Sequence, residues 1–186
     1  MIKVGIIIAS TRPGRVGETV ARWVHEVAVK QGGAEFELVD LKDVGLPHLD
    51  EPVPALMRRY SQPHTHRWAA TVASFDAYVF VTPEYNRTFP GALKSAIDFV
   101  YAEWNDKSAG FVGYGTNGGV LAVEQLRNVM GALGIAAVRD QVALSLHNDF
   151  VDFTAFEPQA HQEDAVARML DAVIAWGGAL KPLRDA

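Results

Sequence analysis

A chain of 186 residues, 49% of them apolar, can bury one sizeable core, whereas two halves of it would each be marginal; one domain spanning residues 1–186 is expected. The sequence contains no cysteine, which excludes disulfides, thiolate catalysis and Cys-based metal sites, so any redox chemistry must come from a bound cofactor. A net charge of -5 without a block of like charge leaves no basic face for nucleic acid, and no apolar run approaches the length of a membrane span.

The segment from Ile2 to Ala9 is β-branched and nearly continuous in its apolar character, as in a strand buried on both faces. It starts directly after Met1 with no signal-peptide order of charged, apolar and cleavable regions, so a soluble cytoplasmic protein is expected. A loop of Ser, Thr, Pro, Gly and Arg follows. Helical spacing begins near Gly17, with Val20, Val24, Val27 and Ala28 on one face. Glu35 to Leu41 alternates as a second strand. Lys42 to Pro63, with four prolines, is irregular and longer than an ordinary connection, which suits a functional cover or a partner surface. Trp68, Val72 and Phe75 suggest a short helix after it.

Asp76 to Thr82 is a third strand that runs into a proline-bounded loop. Leu93, Ala96, Ile97, Val100 and Tyr101 then keep helical spacing. Trp104 follows in a polar loop, where it could cap the core or meet a partner subunit. Ala109 to Gly115 is a fourth strand, and its Gly-rich loop opens a helix with Ala122, Leu126, Val129, Met130 and Leu133 aligned. Glu124 and Arg127 on that helix suit a surface pair. Ala136 to Leu144 holds a fifth strand. A last helix, from about Gln159 to Trp176, places Val166, Leu170, Val173 and Trp176 toward the core.

Strand and helix in alternation imply a parallel sheet with helices on both faces. Five strands favour a flavodoxin-like three-layer α/β sandwich in the order 2-1-3-4-5. In such a sheet ligands sit beyond the carboxyl ends of the strands, where the strand order reverses. The three loops that follow the first, third and fourth strands are brought together there by topology alone. The first offers hydroxyls at Ser10 and Thr11, guanidinium groups at Arg12 and Arg15, then Val16 and Gly17 at a helix start that attracts anions. It has neither the Walker nor the GxGxxG spacing. The second, with Pro83, Glu84, Tyr85 and Asn86, combines an aromatic, an amide and restrained backbone, as a flat heterocycle requires. The third, with Gly115, Thr116, Gly118 and Gly119, lets backbone approach a ligand closely. Each loop alone reads equally well as a turn or a helix entry. The histidines show no recognised metal spacing; His64 and His66 are two apart with no third ligand.

Three blocks, IASTRPGRVGETVARWV, VTPEYNRTFPGALKSAIDFVY and GYGTNGGVLAVEQLRNVMGALGI, resemble the NADPH-dependent FMN reductase family, which includes small quinone, azo and chromate reductases. The resemblance implies a bound FMN. Its phosphate would lie on Ser10, Arg12, Arg15 and Gly17, its ring against Pro83 to Asn86, and its pyrimidine edge along Gly115 to Gly119. It also implies a homodimer or homotetramer, and two electrons moving from NADPH or NADH through FMN to a quinone, azo compound, free flavin or similar small acceptor. No side chain need act as acid or base. Three departures stand out: Ala9 where many members have Gly, Gly17 where many have a phosphate-bonding serine, and Val120-Leu121 in place of a more polar pair. The second makes Thr19 or backbone donors the expected substitutes, and the third bears on contacts near the ring. A flavodoxin-like electron carrier without its own substrate is the rival reading, and such carriers tend to be strongly acidic.

Overall fold

The computed structural model of the protein describes residues 1–184. Five parallel strands, β1 (Lys3–Ile8), β2 (Glu35–Asp40), β3 (Ala77–Pro83), β4 (Ser108–Gly115) and β5 (Ala136–Ser145), pair in the order β2-β1-β3-β4-β5. This is the order expected from the sequence. Strands β1, β3 and β4 are buried at almost every residue because helices cover both faces. Edge strand β2 alternates between exposed and half-buried residues over most of its length, as its sequence does.

Helices α1 (Gly17–Gln31) and α6 (His161–Arg184) cover one face, over a core that includes Val4, Val24, Val81, Met169 and Leu170. Helices α2 (Leu41–Val44), α3 (Pro63–Ala73), α4 (Gly91–Asp98) and α5 (Val120–Ala132) cover the other, over Ile7, Trp68, Phe80, Leu93 and Leu126. A two-residue antiparallel pair, β6 (Phe150–Val151) with β7 (Ala155–Phe156), follows β5. Trp104 is fully buried; it donates its Nε1–H to the Ile97 carbonyl at 3.2 Å and caps the second core.

Four expectations need correction. Trp176 does not face the core: it is 55% exposed, and Gly177 takes the inward position instead. A Cβ at Gly177 would come within 3.0 Å of Ile2 and 3.2 Å of Ala77, so the helix presses closely on the sheet and a larger residue there would require its neighbours to shift. Helix α6 also continues past Trp176 to Arg184. Helix α4 stops at Asp98, so Val100 and Tyr101 lie in the turn beyond it, although Val100 is still buried. Arg127 does not pair with Glu124. It donates to the carbonyls of Val138 and Arg139, where β5 slips register against β4, and it stacks 4.6 Å over Phe111. An irregular strand leaves carbonyls without ladder partners, and the guanidinium meets that need.

The stretch from 42 to 63 is irregular except for the end of α2 and a single 3-10 turn at Ala55–Met57. Glu51 holds it folded, accepting from the Ser61 and Gln62 backbone at 2.8 and 3.0 Å. Tyr60 donates to Glu103 at 2.7 Å, and His64 bonds Asp50 at 2.9 Å. The histidine pair is therefore taken up locally, with His66 set edge-on to Tyr60.

Candidate functional site

The sheet brings the three Gly-rich loops to its carboxyl edge and bonds them to one another. Ser10, just past β1, is buried, and its Oγ lies 2.8 Å from the Tyr85 hydroxyl of the second loop. Glu84, beside Tyr85, reaches the third loop, where its Oε2 accepts from the backbone N–H groups of Leu121 and Ala122 at 3.1 and 3.4 Å. Helix α5 has no acidic residue in its own first turn, so Glu84 supplies that capping charge from another strand's loop. The Ser145 hydroxyl closes the far side by donating to the Thr116 carbonyl at 3.1 Å.

Within the first loop the two arginines differ. Arg15 is nearly buried: it pairs with Asp40 at the end of β2, donates to the Ser10 carbonyl at 2.7 Å, and lies 3.6 Å from Glu18. It clamps the loop to the neighbouring strand. Arg12 is exposed and its side chain has no partner among the described residues. Thr11 is exposed as well, and it borders a cavity of about 230 Å3 shared with Leu41, Leu46 and Ala92. Helix α1 starts after Val16 with no side-chain cap, so its first N–H groups are left for another acceptor. Thr19 is exposed on the helix surface and buried Gly17 faces inward.

The second loop is a tight reversal. Tyr85 N–H donates to the Thr88 carbonyl at 2.8 Å, and the Thr88 N–H donates back at 3.1 Å. This turn forces Asn86 and Arg87 to φ of 51° and 70°, a left-handed pair without glycine. Pro83 is buried as the last residue of β3, and Asn86 is exposed at the tip. In the third loop Gly118 and Gly119 have φ of 72° and 67°. A Cβ on Gly119 would lie 2.5 Å from the Tyr114 backbone nitrogen, and one on Gly118 would lie 2.9 Å from Ala143. These glycines are demanded by the fold itself, as well as suiting a close-approaching ligand. Gly115 N-terminal to them accepts from Gly118 and Leu146 at 3.0 Å each.

Two residues absent from the sequence expectations join the site. Asp40 anchors Arg15 and also caps α2 through the Lys42 N–H at 2.9 Å; its place at the end of a neighbouring strand was the available signal. Tyr114, opposite Pro83 in the ladder, carries its side chain under the start of α1. Burial pushes its phenol up, and the neighbouring Tyr85 adds to this, while Arg12, Arg15 and Ser10 act in the opposite sense.

These groups fit a phosphorylated, flat ligand. The first loop has an uncapped helix start, a partnerless guanidinium, a buried hydroxyl at Ser10 and an exposed one at Thr11; the second and third set restrained backbone beside it. An open parallel sheet with a phosphate-type loop at its switch point is the flavodoxin-like class of α/β domain.

Residues 2–149 match the family described as NADPH-dependent FMN reductase. An NAD(P)H-dependent FMN reductase of Schizosaccharomyces pombe is 39% identical over 149 residues, covering 79% of this chain and 74% of that protein. One of Saccharomyces cerevisiae is 36% identical over 176 residues, covering 80% and 92%. A 2-hydroxy-1,4-benzoquinone reductase of a Burkholderia species is 26% identical and covers 80% of each. Among solved structures, the flavoenzyme NAD(P)H:(acceptor) oxidoreductase of Paracoccus denitrificans superposes with a TM-score of 0.75 at 22% identity, over 96% of this chain and 98% of that one. The chain belongs to the NADPH-dependent FMN reductase family, and so to the FMN-dependent NAD(P)H oxidoreductases.

Proposed function

We propose that the chain, working as one flavodoxin-like unit, holds a single FMN across the three loops and passes two electrons from NADPH or NADH to a small quinone. The reading is carried by one observation: the loops after β1, β3 and β4 are bonded to one another, and the unspent donors face the first of them. The FMN phosphate would lie on the α1 N–H groups and Arg12, beside Ser10 and Thr11. Arg15, committed to Asp40 and the Ser10 carbonyl, shapes that loop. The ring would rest between Tyr85–Asn86 and Gly115–Gly119, read by backbone N–H and carbonyl groups that the left-handed residues hold in fixed directions. Bound FMN supplies the redox chemistry, accepting hydride from the nicotinamide and delivering two electrons to the acceptor. The protein's part is to bind, orient and shield; Glu84 positions loops two and three by capping α5.

A quinone is favoured as acceptor because several relatives are named quinone reductases, the Burkholderia and Pseudomonas putida proteins among them. Pairing into a homodimer or homotetramer is supported by Leu49, Leu56 and Met57, at least half exposed on the 42–63 stretch. Among the described residues no helix is long and apolar enough to cross a membrane. The test is anaerobic titration of the FMN-loaded protein with NADPH and with NADH, followed by addition of a benzoquinone. Bleaching of the flavin band and its return with quinone are expected. A protein that binds FMN yet is bleached by neither nicotinamide would be a carrier and not a reductase.

A further inference from the structure

Gly17, the first residue of α1, is buried and offers no side chain to the loop in front of it. The space where its Cβ would stand is already taken by the Tyr114 hydroxyl, which reaches it from β4 across β3. A phenol oxygen is thus delivered to the start of a helix that has no side-chain cap, on the side of the loop where Ser10 and Tyr85 meet. Thr19, the nearest hydroxyl on α1 itself, is exposed on the helix surface.

We propose that Tyr114 is a phosphate-binding residue of the FMN site, its hydroxyl donating to a phosphate oxygen at the position that the α1 residue at 17 leaves empty. The inference rests on the FMN reading above. Three features make the phenol suited to that role. It is 5% exposed and so held in one place by the core around it. Arg12 and Arg15 both act electrostatically on it, and Arg12 has no carboxylate partner among the described residues, so an anion there meets unspent positive charge. Burial keeps the phenol protonated, and a protonated hydroxyl is what a phosphate dianion can accept from. The arrangement also couples two positions 97 residues apart, because a serine at 17 and a tyrosine at 114 would compete for one volume.

The experiment measures the affinity of apoprotein for FMN and for riboflavin, which lacks the phosphate, by quenching of flavin fluorescence. Tyr114→Phe should weaken FMN about tenfold, as loss of one hydrogen bond to a charged group does, and leave riboflavin unchanged. Gly17→Ser alone should weaken FMN by crowding Tyr114, whereas Gly17→Ser with Tyr114→Phe should recover most of the lost affinity. An unchanged FMN affinity in Tyr114→Phe, or an equal loss for both flavins, would overturn the proposal and leave Tyr114 a packing residue. Failure of the unaltered chain to bind either flavin would instead defeat the FMN reading itself. Thermal unfolding of each variant establishes that the folded protein is being compared, and Gly17→Ser,Tyr114→Phe provides the answer if either single variant folds poorly.

Discussion

At the amino end of the sheet, Asp76 accepts from the Lys3 backbone at 2.9 Å, from Lys181 at 3.0 Å and from Arg184 at 2.6 Å. Beside it the buried Lys107 donates to the Val72 carbonyl at 2.7 Å and to the Tyr78 hydroxyl at 3.0 Å. Each charge there is answered by another group of the same chain. At the carboxyl end the loops are just as firmly joined, yet Arg12 and the first N–H groups of α1 have no acceptor of their own among the described residues. A polar cluster that satisfies itself is structural, and one with donors to spare is arranged for a ligand. The same sheet carries both, one at each end of its strands.

The largest expected effect falls where fold and site share a residue. Gly119→Ala puts a Cβ at 2.5 Å from the Tyr114 nitrogen in a left-handed conformation, and should cost about 3 kcal/mol in urea unfolding and weaken FMN as well. Near-normal stability would show that the third loop can rearrange. Asp76→Asn should cost about 2 kcal/mol while leaving the FMN affinity of the folded protein unchanged. Burial alone would raise the Asp76 carboxyl, but the Lys3 N–H, Lys181 and Arg184 outweigh it and hold it below the ordinary value. Its stabilisation is therefore present above the unfolded-state value and vanishes as acid titrates the folded carboxylate, so the two proteins should converge in stability at low pH. Loss of FMN binding in this variant would break the contrast between the ends.

Arg12→Ala should do the reverse, lowering FMN affinity about tenfold with no change in unfolding midpoint or in riboflavin binding. A pH-dependent effect is expected at Lys107, which burial, aided by Arg184, brings down to about 7. Between that value and its unfolded one, about 10.4, the unfolded chain holds a proton that the folded chain lacks, so stability should rise with pH. The rise from pH 7 to 9, at most about 1.4 kcal/mol per unit, should be absent in Lys107→Met, as urea midpoints at the two pH values would reveal. Equal slopes would mean that the buried amine stays charged.

Much of this was legible in the sequence because it is carried by periodicity. The continuous apolar runs of β1, β3 and β4 and the strand order followed from residue type and alternation. The meeting of the three loops followed from topology. What escaped depends on distance between helix and sheet: helical spacing pointed Trp176 inward, but it is Gly177 that packs where α6 touches Ile2 and Ala77. Side-chain roles escaped for a similar reason. Arg15 and Glu84 carry charges that suit a ligand, and nothing local shows that Asp40 or the start of α5 claims them first. Tyr114 ends an ordinary apolar strand, and its reach to Gly17 crosses an intervening strand that sequence spacing cannot measure.

The bond between Asp76 and Arg184 spans 108 residues of chain. During synthesis, β1 and β3 can pair long before α6 leaves the ribosome, so Asp76 waits for its two cations until nearly the last turn of the final helix is made. The carboxyl end has a shorter delay, since its three loops lie within the first 119 residues and the residues at the end of β5 that brace the third of them, Ser145 and Leu146, follow soon after. The three loops can thus come together on the nascent chain while the opposite end of the sheet is still open, and α6 seals the fold from behind.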